Sequence, residues 1–295
     1  MKKGIWHAVG AYTIWGVLPV YWKWLQYVPA PQLIGHRILW SFVVLLIVIG
    51  LSNRWRAFWT AALQRRALRL YAIAAVLIGI NWLTYVWAVN AGFIVETSLG
   101  YFINPLLSVA MGVVFFRERL RPWQWVPIAL AAGGVLYLTL VYGSLPWIAL
   151  TLASSFGIYG LVKKAAPLGS LFGLTLETGL LLLPALAYLA FSEWQGQGVF
   201  FHAGVVSDFL LVGVGLMTAA PLLLFASAAQ RIPLSLVGIL QYIAPTLQFL
   251  LGVFVYDEPF SYARLVGFGM VWVALVIFAV EGILARRTRL AAGGH

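Results

Sequence analysis

The chain has 295 residues, 63% of them hydrophobic and 9% charged, with a net charge of +11 and a mean hydropathy of +0.95. Soluble globular domains carry roughly a quarter charged residues, so the composition excludes that class and makes lipid the solvent for most of the chain. With no cysteine, disulfides, thiol nucleophiles and thiolate metal sites are excluded as well.

A membrane-crossing helix needs roughly 20 consecutive apolar residues at a rise of about 1.5 Å each. Ten stretches qualify: 4–24, 32–51, 70–90, 94–116, 122–141, 145–163, 170–191, 208–229, 234–255 and 261–283. The first follows Lys2 and Lys3 as a signal peptide would. It is too long for one and lacks a small-x-small cleavage site before Pro29 and Pro31, so it reads as retained. It carries Tyr12 and Trp15, and the second stretch carries His36 and Arg37. Residues 52–69 then place Trp55, Phe58, Trp59 and Leu63 among arginines. This segment is either an amphipathic helix on the anionic cytoplasmic leaflet or a solvated loop with anchoring tryptophans.

The third stretch sets Asn81 and Tyr85 one turn apart, with Trp82 and Asn90 nearby. In the fourth, Glu96, Gly100 and Asn104 are spaced i, i+4, i+8 and share a helix face. Pro105 lacks a backbone donor, which leaves the carbonyl near Tyr101 free to bind something. Glu118 follows among arginines and reads as a local surface pair. The sixth stretch holds Phe156 and Tyr159 and ends at Lys163 and Lys164, the seventh holds Glu177, and the ninth holds Gln241, Pro245 and Gln248. Tryptophans near the ends of stretches, Trp22 among them, read as interfacial anchors.

All but three of the 19 Lys and Arg lie before the first stretch or in alternate loops, while the remaining loops carry Glu193, Asp208, Asp257 and Glu258. This is the positive-inside pattern and predicts both termini in the cytoplasm. It also assigns the positive charge to a membrane face and not to nucleic acid.

Sliding the chain against itself by 140 residues aligns Ile103, Pro105, Leu107, Gly112, Val113 and Glu118 with identical Ile243, Pro245, Leu247, Gly252, Val253 and Glu258. The expected fold is therefore all-α and membrane-embedded, with ten transmembrane helices in two five-helix repeats, residues 1–142 and 143–295. Five is odd, so the second repeat enters from the opposite side. Inverted repeats suit alternating access, in which the halves exchange conformations around a central site.

Ionisable and polar residues within spans are functional candidates by default. The reading predicts a midplane cavity between the third, fourth, eighth and ninth helices. Its substrate-binding lining is Asn81, Trp82, Tyr85, Asn90, Tyr101, Asn104, Gln241 and Gln248, with Tyr12, Trp15, Phe156 and Tyr159 as aromatic walls. Such a lining suits an amphipathic or aromatic solute better than a bare ion. The positions equivalent to Glu96 and Asn104 are Leu236 and Ala244, so the site is expected to be asymmetric. Glu96 is the candidate for proton coupling, and a static pair with Arg37 or Lys23 is the alternative. Arg37 maps onto Glu177, but inverted repeats place these two towards opposite faces. Each needs another partner, a cavity or a lipid headgroup to snorkel towards, and a structural or gating role is preferred for His36, Arg37, Glu177, Pro105 and Pro245.

The strings His36-Arg37-Ile38-Leu39-Trp40-Ser41, Asn81-Trp82, Ala88-Val89-Asn90, Glu96-Thr97-Ser98-Leu99-Gly100-Tyr101-Phe102-Ile103-Asn104-Pro105-Leu106 and Gln241-Tyr242-Ile243-Ala244-Pro245-Thr246 resemble the RarD branch of the drug/metabolite transporter superfamily, built from two EamA-type units. The resemblance implies ten helices around a central cavity and a permease of the bacterial inner membrane; it supplies no agreed set of binding residues. The expected activity is secondary transport of a small amphipathic metabolite or drug, directed outward, by a monomer or homodimer without a cofactor. A channel-like permease or a receptor-like scaffold is disfavoured by the inverted repeat. An intramembrane enzyme would need a metal cluster or a Ser/His pair, and His7 and His36 lie in helices without such company.

Overall fold

The computed structural model describes residues 1–91, 93–142, 147–256 and 262–292; side chains are described for all of these except 90, 94–96, 98, 142, 263, 264, 268, 279 and 282–292. Lipid offers no hydrogen bonds to a backbone, so apolar segments that cross it close their own bonds as helices. The described chain follows that rule, with α1 (Lys2–Trp24), α2 (Ala30–Leu51), α3 (Trp55–Ala62), α4 (Arg65–Asn90), α5 (Ile94–Phe116), a short 3-10 turn at Pro122–Gln124, α6 (Trp125–Tyr142), α7 (Trp147–Ala165), α8 (Ser170–Trp194), α9 (Val205–Arg231), α10 (Leu234–Gln241), α11 (Ile243–Val255) and α12 (Tyr262–Ala292).

Among the described residues seven segments are long and apolar enough to cross a membrane: Ala30–Leu51, Arg65–Val89, Leu99–Phe116, Pro122–Val141, Ser170–Trp194, Val205–Arg231 and Leu234–Val255. Helices α1, α7 and α12 lie among them and run for 23, 19 and 31 residues. The outer surface is apolar, with Leu183, Leu140 and Val114 exposed, as a lipid-facing shell requires.

Segment 52–69, left open by the sequence, contains the short helix α3. Phe58 and Ala62 are buried while Trp59 and Leu63 are exposed. Phe58 meets Phe172 of α8 edge-on with ring centroids 5.6 Å apart, so α3 is docked on the bundle. The expected ninth helix is broken into α10 and α11 at Tyr242. Pro245 cannot donate to the Gln241 carbonyl, which accounts for the break. Pro105, at the equivalent position of the first half, lies inside an uninterrupted α5.

Packing follows a regular pattern. Helix α1 packs on α9, and α7 packs on α4; α1 packs on α10 and α11, and α7 packs on α5; α2 packs on α9, and α8 packs on α4. The pairs α2 with α8, α5 with α10 and α6 with α12 meet directly. Membrane helices approach closely where residues are small. A Cβ on Gly238 of α10 would sit 2.6 Å from the Pro105 carbonyl of α5, and one on Gly16 of α1 would sit 2.7 Å from Leu247 of α11.

Glu118 is not the surface pair the sequence suggests. The chain leaves α5 through Arg117 at φ 52° and delivers the Glu118 carboxylate to the start of α10. Its Oε1 accepts from the Leu234 N–H at 2.7 Å, and its Oε2 accepts from the Ser235 N–H at 2.9 Å and the Ser235 hydroxyl at 2.7 Å. Helix N-termini leave amide donors unsatisfied and carry partial positive charge, so a carboxylate is the fitting cap. Lys164 Nζ, 3.5 Å from Glu118, donates to the Ile232 carbonyl at 2.7 Å at the end of α9. The sharp turn from α9 to α10 is thus clamped by one charge of each sign. Glu258, the counterpart of Glu118, lies outside the described residues.

Candidate functional site

Within the bundle a cavity of about 200 Å³ is lined by Tyr12, Trp15, Asn81, Trp82, Tyr85, Tyr101, Asn104, Phe156, Gln241 and Gln248, all named from the sequence, together with Arg37 and Pro245. The walls come from α1, α2, α4, α5, α7, α10 and α11, with Leu222 as the one described contribution of α9. The expected walls therefore shift: α9 presents Ala219, Ala226 and Ala229, all buried, and its packing on α1 and α2 takes it out of most of the wall. Gln230 follows it away from the cavity and donates to the Leu168 carbonyl at 2.8 Å.

Several lining amides also tie helices together. Asn81 Nδ2 donates to the Leu152 carbonyl at 2.8 Å and to Ser155 Oγ at 3.0 Å, joining α4 to α7. Gln248 Nε2 donates to the Trp15 carbonyl at 3.1 Å, joining α11 to α1. Buried polar groups are normally paired. The Tyr12 hydroxyl and Asn104 Oδ1 nevertheless have no hydrogen-bond partner among the described residues, and both belong to cavity-lining side chains.

Arg37 enters the wall from α2. Its Nε donates to Thr218 Oγ1 of α9 at 3.1 Å. Its guanidinium carbon stands 4.5 Å from the Trp82 ring centroid and 5.3 Å from that of Trp22, within the range of cation–π attraction. Tyr85 and Tyr101 lie across from each other with ring centroids 6.1 Å apart. They are 36% and 38% exposed, whereas Tyr12 is 1% exposed, so the cavity deepens from the Tyr85–Tyr101 pair towards Tyr12.

The floor is aromatic. Trp15 and Phe156 pack edge-on at 5.9 Å, Phe225 lies 5.1 Å from Phe156, and Tyr159 stacks on Phe225 at 5.9 Å and 12°. Tyr159 itself does not reach the cavity wall, contrary to expectation. Its hydroxyl donates to Glu177 Oε2 at 3.0 Å, which draws the phenol away. Glu177 Oε1 accepts from Lys163 Nζ at 2.6 Å, with both side chains 1% exposed. Lys163 stands in the last turn of α7, at the end of the span as expected, but it is buried there and is the partner that Glu177 required. Seven residues of helix separate Lys163 from Phe156, about 10 Å, so this ion pair sits beyond the aromatic floor.

His36 is buried against Phe200 at 5.3 Å, outside the cavity, and its Nδ1 has no partner among the described residues. Pro105 faces Gly238 and not the cavity. The side chains of Asn90 and Glu96 lie outside the described residues. Sequence reasoning missed Trp22 and Thr97 as lining residues. Trp22 lies two turns from Trp15, and Thr97 one turn from Tyr101, so helical spacing alone would have found them. Among the described residues there is no group of acidic, histidine and cysteine side chains able to hold a metal.

Comparison with known proteins agrees with this architecture. The EamA-like transporter family matches residues 2–140. An uncharacterized transporter of Bacillus subtilis, YojE, is 46% identical over 97% of this chain and 96% of its own length. Protein RarD of Streptomyces exfoliatus is 45% identical over 98% of this chain and 92% of its own. A solved crystal structure, 18% identical, shares the fold with a TM-score of 0.71, covering 94% of this chain and 96% of that one. The relatives are transporters and not enzymes, and the helices are those of a multi-pass protein, so this chain belongs to the RarD-type permeases of the drug/metabolite transporter superfamily, membrane proteins that act on small molecules in the bacterial inner membrane.

Proposed function

We propose that the protein is a secondary active transporter that moves a small amphipathic metabolite or drug out of the cell by alternating access. On this reading ten helices form two inverted five-helix repeats, residues 1–142 and 143–295, in a monomer or homodimer with both termini in the cytoplasm. The observation that carries the proposal is the cavity, which has an aromatic and amide lining and is sealed at one end by stacked rings and a buried ion pair. The exchangeable helix pairs support it. Swapping the halves turns α1 on α9 into α7 on α4, and α2 on α9 into α8 on α4, as two states of one pseudo-symmetric carrier require. The mouth lies where α1 ends and α2 begins, the outer side if the N-terminus is cytoplasmic.

Lining residues with partners of their own, such as Asn81 and Gln248, hold helices as well as face the solute. Proton exchange through Glu96 supplies the driving force in this proposal. The test begins with the metabolites exported by cells with and without the protein, followed by counterflow of the identified solute in proteoliposomes. A carrier exchanges labelled for unlabelled solute with trans-acceleration, and a channel does not. Glu96→Gln is expected to abolish the pH dependence of uptake. Unchanged uptake with unchanged pH dependence would remove proton coupling from the proposal.

A further inference from the structure

The cavity contains a charge that the transport reading leaves unused. Arg37 is the one charged side chain among the described residues of its lining. Its hydrogen bond to a neutral partner, Thr218, occupies Nε. No described carboxylate lies within ion-pair distance of it. A guanidinium has five N–H donors in a flat fork, and the fork formed by its two terminal nitrogens matches a carboxylate bidentately.

We propose that the site takes small aryl monoanions, with the carboxylate of the solute docked on the Arg37 fork and its ring among Trp15, Trp82, Tyr85 and Phe156. The proposal rests on the reading of this cavity as the solute site. Three features of Arg37 carry it. The Thr218 bond fixes the direction of the side chain without neutralising it. The Trp82 and Trp22 rings at 4.5 and 5.3 Å hold the plane of the guanidinium and attract its charge more weakly than a counterion does. The cavity lies inside the helix bundle and its amides and phenols carry no charge, so among the described lining residues nothing offsets the guanidinium, and a bound anion is worth more there than in water.

A cationic solute would meet the same guanidinium as a repulsion, and a neutral one would bring it no counterion. The equivalent position in the second half makes the contrast plain. Glu177 is neutralised by Lys163 beyond the aromatic floor, whereas Arg37 faces the cavity. Specificity follows from the group left unpaired when the wrong solute binds.

The experiment compares three near-isosteric probes, phenylacetate, phenylacetamide and 2-phenylethylammonium, by titration calorimetry with the full chain in lipid nanodiscs at neutral pH. Phenylacetate is expected to bind about ten-fold or more tightly than the amide, the margin of a charge-assisted hydrogen bond, and the ammonium is expected to bind weakest. Arg37→Gln is expected to bring acid and amide to equal affinity, and Arg37→Lys to keep part of the preference, because charge survives and the fork does not. Equal or tighter binding of the amide or ammonium, absence of phenylacetate binding up to millimolar concentration, or an acid preference that survives Arg37→Gln would overturn the proposal. If Arg37→Gln does not fold, the wild-type ratio and Arg37→Lys decide alone. Counterflow of labelled phenylacetate separates the two readings. Acid-selective binding without counterflow sinks the transport reading and leaves this one standing, and counterflow of the amide or ammonium without acid preference does the reverse.

Discussion

Removing two charges from water costs several kcal/mol each, and their attraction offsets that only with good geometry. Lys163 and Glu177 meet at 2.6 Å with the Tyr159 hydroxyl on the second carboxylate oxygen, so neither charge is left bare. Replacing one partner strands the other. Lys163→Met or Glu177→Leu alone should lower stability by about 3–5 kcal/mol, whereas the double replacement should recover most of the loss; thermal unfolding of the purified protein, followed by tryptophan fluorescence, measures all three. The sequence made half of this pair legible. Glu177 stood out as a carboxylate in an apolar run, but Lys163 sat at the end of a stretch, where lysines usually mark the membrane surface. Nothing in their spacing reveals a contact made across two helices. Tyr159 was misplaced for the same reason, because an aromatic residue near a cavity is redirected by one buried oxygen that the helical pattern does not show.

Where α9 turns into α10, the clamp on that turn should respond to pH. Burial pushes the Glu118 carboxyl up, but the Ser235 and Leu234 amides, the Ser235 hydroxyl and Lys164 outweigh it and hold the group below its ordinary value of 4.5. A carboxyl depressed on folding stabilises the folded state at pH values above its unfolded value and loses that contribution as pH falls through the lower folded one. Glu118→Gln should therefore cost about 1–2 kcal/mol at neutral pH, with the difference from wild type shrinking to nothing in acid below 4.5; unfolding midpoints across a pH series check this. Gly112 belongs to the same device, because a Cβ there would sit 2.6 Å from Glu118 Oε2 and 2.9 Å from the Ser235 nitrogen. The sequence marked Gly112 and Glu118 as repeated at 252 and 258, yet held no sign that the first glutamate caps a helix that begins at Leu234, 116 positions away. The break between α10 and α11 was more accessible, since a proline inside a span announces a lost donor. Pro105 shows that this signal alone does not decide the outcome.

Across the whole molecule, the proposed topology makes a prediction that the absence of native cysteine renders easy to test. Thr60→Cys in α3 should react with a membrane-impermeant maleimide only after the cell is permeabilised, and Gln195→Cys after α8 should react on intact cells; the opposite pattern would invert the orientation. The architecture was broadly readable because hydropathy and charge are summed over whole segments, where single errors average out. The lining was readable because polar residues are rare in lipid-facing helices and were counted one by one. The part played by α9 was not, since its removal from the wall depends on alanine packing that composition does not distinguish from lipid exposure. The guanidinium of Arg37, the one charge among the described lining residues, also bears on the membrane potential. Moving one elementary charge through that field is worth about 2.3 kcal/mol per 100 mV. On the anion reading, loading cancels the charge of Arg37, so the loaded carrier is one unit more negative than the empty one: the empty carrier is drawn further towards the negative interior, and the loaded one is driven further outward. The resting voltage then reloads the carrier from inside after each release, which gives the cycle a direction even before any coupling ion is considered.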